Sequence, residues 1–279
     1  MAHAYQDIIV SIDGKIATIK LNRPKSLNAL SPPLIHSLIR ALEDLANNKD
    51  TVVTVITGEG RFFSAGVDLK AGGAALTTGP PSPLESTSKS IQLLGEAERL
   101  GWVELVGRML INHPKVLVFA LNGPVVGITA AWTAYADLIL ASDTATLHLP
   151  FSNLGLVPEG GCAQSFSTRM GWGRAVEVVM FGRKATAQEL HQWGFVNQIF
   201  PSTTFSTLLH TYLTTHLSTS APIALLTAKK LLRDVVRADF ERGNVESVRA
   251  MGVQATTGET AREMGRKRRE MEAKSKSKI

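Results

Sequence analysis

One acidic residue stands out by its surroundings. Glu159 lies in the run Gly155–Gly161, with leucine, valine and proline before it and two glycines after it. A carboxylate held in such a turn is a candidate for moving protons, although by residue type alone it reads equally as a surface residue capping the helix after Gly161. Two further stretches, Phe62–Leu69 and Asn122–Ala130, each put a glycine-bearing turn after a buried apolar strand and ahead of a helix. Strand-to-helix turns leave backbone N–H groups unpaired, and the helix dipole favours negative charge there. Two such turns facing one another would offer two donors to a single oxygen, the geometry of an oxyanion hole. Glycine lets the backbones approach closely, and the same pattern also serves as a plain packing turn.

The other chemistry-bearing side chains say less. Asp68 reads as a helix cap or as a substrate ligand, and Asp137, between a helix and a strand, as structural. Cys162 is the sole cysteine and has no histidine-bearing motif beside it, so it reads as a buried inert thiol. His148 alternates with apolar neighbours on a strand, His36 and His113 are isolated, and no pair has metal-ligand spacing, so no metal site is expected. The four tryptophans are scattered through helical stretches as core or interface residues.

The elements that must position these residues follow from period and turn chemistry. Two β-rich runs, Ile8–Val10 and Ile16–Ile19, flank Asp13-Gly14 and predict a hairpin over Tyr5–Leu21. Ser31-Pro32 starts a helix with Leu34, Ile35, Leu38, Ile39, Leu42 and Leu45 at helical spacing. Val52–Thr57 and Val116–Leu121 are continuously apolar, the pattern of strands buried on both faces. Leu138–Ala141 and Ala145–Leu149 read as two more strands, and Gly127–Ala136 as a helix. Ala71–Pro83, rich in Gly, Pro, Ser and Thr, reads as a surface loop, followed by a long helix over Glu85–Asn112 that His113-Pro114 ends. After Gly160 the pattern is almost entirely helical, with the segment from Pro201 onward as a separate layer. Alternation of strands and helices gives an α/β class.

With 279 residues, 44% hydrophobic and 19% charged, the chain has enough apolar material for one large core. Its net charge of +6 is uneven: Arg262–Ile279 holds eight basic and three acidic residues, so the body is nearly neutral. That argues against a broad nucleic-acid-binding face. The first seven residues lack a basic leader and an apolar run, and the apolar stretch Val125–Ala141 is interrupted by Thr129, Thr133, Tyr135 and Asp137. No secretory signal and no membrane span are expected.

Several segments together resemble a known family. Ser64-Ala-Gly-Val-Asp-Leu-Lys70, Asn122-Gly-Pro-Val-Val-Gly127, Arg23-Pro-Lys-Ser-Leu-Asn-Ala-Leu30 and Ala136-Asp-Leu-Ile-Leu-Ala-Ser142 keep the order and approximate spacing of the enoyl-CoA hydratase/isomerase family, the crotonases, over roughly residues 5–200. The resemblance implies a crotonase-like spiral of β-β-α units over residues 1–200. It further implies a helical C-terminal region over 201–261 that supports a homotrimer or hexamer, and a basic tail over 262–279. It implies that an acyl-CoA thioester oxygen sits between the backbone N–H groups of Val67 and Ile128. Lys25, Leu27, Ala29, Ala65, Gly66, Asp68, Leu69 and Gly127 would line the substrate and its CoA. No cofactor is implied beyond the coenzyme A of the substrate itself.

Within that family the resemblance also bears on the reaction. Hydratases carry two glutamates, at positions matched here by Ala131 and Phe151, neither of which exchanges a proton. Glu159 falls at the position used by peroxisomal Δ3,Δ2-enoyl-CoA isomerases, which Phe151–Gly155 also resembles. One carboxylate suffices to shift a double bond if it reaches both C2 and C4, and an apolar acyl pocket would raise its pKa toward the operating pH. The last three residues, Ser277-Lys278-Ile279, are one conservative step from the Ser-Lys-Leu peroxisomal address and imply an import receptor as partner. Two alternatives stay open at this point. One is a hydratase-like member of the family acting on another acyl-CoA in secondary metabolism. The other is a non-catalytic protein that binds RNA or another anion through its basic tail.

Overall fold

The fold was taken from a computed structural model that describes residues 5–68 and 101–276. The Ala71–Pro83 loop, the start of the helix expected from Glu85, Leu69 and the Ser277–Ile279 tripeptide lie outside the described residues.

A six-stranded sheet organises the chain. It runs β1 (Ile8–Asp13), β2 (Ile16–Leu21), β3 (Val53–Gly58), β4 (Val116–Leu121), β6 (Leu138–Ser142) and β9 (Gln198–Phe200) in spatial order. β1 and β2 form the expected antiparallel hairpin, with Asp13 opposite Ile16, so the two turn residues are Gly14 and Lys15. Gly14 takes φ +54°, as a tight hairpin turn requires. From β2 onward every pairing in this sheet is parallel. β3 and β4 are buried along their whole length, which is why their sequences carry no polar alternation.

Between main-sheet strands the chain repeatedly detours to a second, three-stranded sheet. β5 (Val125–Val126), β7 (Thr146–His148) and β8 (Ala185–Thr186) make it up. β4 is followed by β5, and β6 by β7, so successive turns of a spiral lay one strand in each sheet. The helices are α1 (Pro32–Asn47), α2 (101–111), α3 (Ile128–Trp132), α4 (Cys162–Met170), α5 (Trp172–Ala175), α6 (Ala187–Gln192), α7 (Phe205–Ser218), α8 (Pro222–Ala255) and α9 (Glu259–Lys276). α1 begins at Ser31, whose hydroxyl accepts from the Leu34 N–H, and buries Leu34, Ile35, Leu38, Leu42 and Leu45.

Two sequence expectations change and a third holds. β8 and β9 lie beyond Gly160, so that region is not almost entirely helical; each strand is only two or three residues long, too short to show a period. The helical segment after Pro201 forms a layer of its own, as expected, packed on the main sheet. Phe205 and Leu213 of α7 pack on Val53, Val55, Val116, Val118 and Leu140 and cover one face of the main sheet. The boundary at 262 falls inside α9, which begins at Glu259 and packs against the short 3-10 turn Ser152–Leu154.

α8 is fastened to the sheet by buried charge. Asp137 accepts from the Leu117 N–H (2.7 Å) and pairs with Lys229 (2.7 Å) and Arg233 (2.6 Å). Burial alone would raise the Asp137 carboxyl, but the two cations outweigh it and hold it below the ordinary carboxylate range. Asp137 is thus structural, as expected. Removing one member of such a buried group costs about 3–5 kcal/mol, because a charge is left without its partner.

Candidate active site

The loop Arg23–Leu30 builds one wall. Leu27 and Asn28 both take left-handed backbone angles, φ +52° and +54°, uncommon for side chains other than glycine. Asn28 is fully buried and accounts for the distortion. Its Oδ1 accepts from the Arg23 N–H (2.9 Å), and its Nδ2 donates to the carbonyls of Glu59 (2.9 Å) and Phe62 (2.8 Å). The first glycine turn is laced onto this loop. Ala65 N–H donates to Leu27 O (2.9 Å), Leu30 N–H to Gly66 O (2.8 Å) and Asp68 N–H to Leu30 O (3.0 Å). The Ser64 hydroxyl donates to Asn28 O (2.8 Å) and accepts from the Gly66 N–H (3.2 Å).

Those bonds make a parallel bridge between Leu30 and Val67. In a parallel bridge the partner strand bonds to the residues on either side of the central one, so the N–H of Val67 itself points away from Leu30. The second turn is built in the same way. Ser64 and Val125 form a parallel bridge, Val126 N–H donates to Ser64 O (3.0 Å), and Gly127 N–H donates to His148 O (2.9 Å). Ile128 then opens α3, where the first amides of a helix have no intrahelical acceptor. Among the described residues no carbonyl accepts from the Val67 or the Ile128 N–H.

The two turns touch at their glycines. A methyl at Gly66 (φ +86°) would sit 2.9 Å from Val126 O and 3.7 Å from Gly127 Cα. Glycine is required there both for the left-handed angle and for the approach. The residue following each glycine therefore carries an unused amide at the junction of the two turns.

Glu159 is brought to the same helix. It is 2% exposed, which removes the reading of a surface turn residue, and α4 takes Gly161 as its N-cap. Gly160 and Gly161 both adopt left-handed angles, φ +60° and +63°. A methyl at Gly160 would lie 2.8 Å from Ile128 Cδ1 and 3.2 Å from Trp132 Nε1, so the Glu159 turn packs on α3. Among the described residues, the buried Trp132 indole N–H and Tyr135 hydroxyl beside this turn find no hydrogen-bond partner. Burial pushes the neighbouring Cys162 thiol far up, and the Glu159 carboxylate adds to the shift. Cys162 is therefore an inert thiol, as its sequence context indicated. Ala131 and Phe151 are buried and apolar at 0% and 3% exposure, so no carboxylate enters from either position.

Of the remaining sequence candidates, Lys25 is exposed on the Arg23–Leu30 loop, Leu27 and Ala65 are half-buried, and Ala29 is buried. Asp68 is paired with Arg23 (2.9 Å), which also donates to Ala29 O (2.6 Å). That pair braces the loop against the first glycine turn instead of presenting a bare carboxylate to a ligand. Residue types alone did not single out Arg23, Asn28 or Ser64 as the framework. The signal available was the Asn28 position, where a polar residue inside an apolar run had to satisfy buried backbone groups.

Comparison with known proteins agrees with this geometry. The chain matches the family model described as enoyl-CoA hydratase/isomerase over residues 11–274. It is 35% identical over 242 residues to human enoyl-CoA delta isomerase 2, covering 87% of this chain and 58% of that protein. The chain thus spans rather less than two thirds of that relative. It is 34% identical to mouse enoyl-CoA delta isomerase 3, peroxisomal, covering 89% of this chain and 74% of that one. Among solved structures, an enoyl-CoA hydratase from Mycobacterium avium subsp. paratuberculosis K-10 superposes with a TM-score of 0.80 at 21% identity, covering 95% and 97% of the two chains, which shows the shared fold. The spiral of two sheets, the paired glycine turns and the sequence matches lead to one conclusion: the chain belongs to the enoyl-CoA hydratase/isomerase family.

Proposed function

We propose that the protein shifts the double bond of a 3-enoyl-CoA to the 2-trans position during oxidation of unsaturated fatty acyl chains. The observation that carries this reading is Glu159, buried against the α3 turn that begins at Ile128, with Ala131 and Phe151 apolar where a hydratase would need carboxylates. The N–H groups of Val67 and Ile128 receive the thioester oxygen. Glu159 removes a proton from C2, the negative charge moves onto that oxygen as a dienolate, and the same carboxyl returns the proton at C4. Oxyanion donors of this kind are typically worth about 10²–10³ in rate, and a positioned base about 10²–10⁴. The route needs one carboxylate and no cofactor, since coenzyme A arrives with the substrate. Lys25 on the exposed loop suits the phosphates of CoA, and the chain around Ala65–Asp68 and Gly127 lies where the thioester must sit.

The test is Glu159→Gln assayed with 3-enoyl-CoA and, separately, for hydration of 2-enoyl-CoA. We expect kcat for isomerisation to fall about 10³-fold with KM little changed. Full isomerase activity in that variant would remove Glu159 from the mechanism.

Peroxisomal import through Ser277-Lys278-Ile279 is part of the same proposal, supported by the mouse relative's printed location. A reporter carrying the full chain should become diffuse when those three residues are deleted; unchanged punctate targeting would exclude the tripeptide as the signal. Assembly as a homotrimer or hexamer is supported by apolar side chains left in solvent, including Trp172, Phe181, Ile223, Leu232 and Val235, each more than 70% exposed. No helix among the described residues is long and apolar enough to cross a membrane.

A further inference from the structure

The segment that carries Glu159 is poorly held by its own sequence. Pro158 restricts Val157 on one side, but Gly160 and Gly161 follow on the other, and two consecutive glycines leave the backbone more freedom than any other pair. A base must nevertheless stay within a fraction of an ångström of its proton, because misplacement by about 1 Å can cost about 10²-fold in rate. Besides the Leu156 N–H to Phe151 O bond (2.8 Å) and the packing of Gly160 on α3, the contacts that hold the segment's two ends come from far along the chain. At the C-terminal end of the segment, the Gly161 N–H donates to the hydroxyl of Ser247 on α8 (3.1 Å). That hydroxyl donates in turn to Asn244 O (2.8 Å), which fixes its lone pair toward Gly161. At the other end, Gly155 O accepts from Gln254 Nε2 (2.9 Å) and from the Thr260 hydroxyl (2.6 Å). Both ends fit by close approach. A methyl at Gly161 would lie 2.9 Å from Asn244 N, and one at Gly155 would lie 3.1 Å from the Glu259 carbonyl.

We infer that the end of α8 and the first turn of α9 form a clamp on the 155–161 segment, with Ser247, Gln254 and Thr260 as positioning residues for Glu159. The inference rests on Glu159 being the base. It assigns the C-terminal helices a part in catalysis within their own chain. It also makes the placement of the base depend on the docking of α9.

The experiment uses the full-length protein with Thr260→Val, which keeps the shape and removes the donor, Ser247→Ala, the double variant, and Thr260→Ser. Each single loss is expected to lower kcat for 3-enoyl-CoA about 10-fold, and the double about 10²-fold, with KM within about twofold. Thr260→Ser, which keeps the hydroxyl, should restore kcat. Hydrogen exchange of the peptide spanning 155–161 should quicken in the double variant while exchange in β3 and β4 stays at the wild-type rate. Wild-type kcat in the folded double variant, or unchanged exchange at 155–161, overturns the clamp. Full activity in Glu159→Gln would instead overturn the base assignment, and the exchange measurement would still decide whether the clamp exists.

Discussion

The two halves of the site are made by different means. The proposed oxyanion frame, residues 23–30, 62–68 and 122–128, is stitched by backbone bonds between short segments and by the side chains of Asn28 and Ser64, and the groups proposed to work there are main-chain amides. The Glu159 turn has a side chain as its proposed working group and is held, beyond its packing on α3, by side chains from helices 86 to 105 residues away in sequence. A frame of amides tolerates changes of those side chains that do not brace it, as long as its glycines and the bracing Asn28 and Ser64 survive. A carboxylate on a double-glycine turn tolerates less, since several of the contacts that fix its segment are particular hydroxyls and amides. The same frame can therefore serve several reactions in one family, while the reaction is chosen by where a carboxylate is held.

The largest expected effect falls on the base side. Glu159→Gln should lower kcat about 10³-fold and leave the melting temperature near that of the wild type, because the frame does not depend on that carboxylate. On the frame side, Gly66→Ala should lower kcat/KM about 10²-fold and also destabilise the protein. The new methyl meets Val126 O at 2.9 Å at a left-handed backbone position, so the turn must shift and carry the Val67 amide with it. If Gly66→Ala kept wild-type kcat/KM, the frame would be more forgiving than its backbone bonding indicates. Steady-state kinetics with a parallel thermal melt separates the two.

A smaller effect lies outside both halves, in the pH dependence of stability where α8 docks on the sheet. His113 lies at the seam between α8 and the sheet, bonded to Thr54 Oγ1 (2.8 Å), near Lys229 and Asp137. Burial, with the nearby Lys229 charge adding to it, pushes its pKa down to about 3. The unfolded chain takes up a proton there near pH ~6.5, and the folded chain does not. Stability is thus full above about 6.5 and falls as pH drops toward 3, by up to about 1.4 kcal/mol per pH unit. Asp137 contributes only at lower pH, since its folded pKa is depressed and its stabilising ion pairs are lost as the carboxyl protonates. We expect denaturant melts of the wild type to weaken between pH 6.5 and 4.5. His113→Gln should flatten that slope, and an equal slope in the variant would assign the pH dependence elsewhere.

Much of the fold was legible before any coordinates. The hairpin, the Ser31-capped helix, the fully buried strands Val53–Gly58 and Val116–Leu121 and the glycine turns all follow from short-range period and turn chemistry. β8 and β9 were not, because two or three residues carry no period and both strands form only by pairing with distant partners. Glu159 was legible as the acidic residue of a glycine turn and, through the family resemblance, as the position proposed for catalysis, but its burial was not. Residue types alone left it as a helix cap.

The sequence by itself determined which groups are available: one carboxylate in the Gly155–Gly161 run, apolar residues at 131 and 151, and glycines at 66 and 127 whose backbone angles no other residue adopts without strain. Those are properties of single residues and their nearest neighbours. Only the tertiary structure decided that the Val67 and Ile128 turns abut, that Glu159 is buried on a turn packed against α3, and that Ser247 and Thr260 reach back to the segment carrying it. Such contacts join residues whose separation along the chain is set by packing, and no local rule of propensity or spacing encodes them.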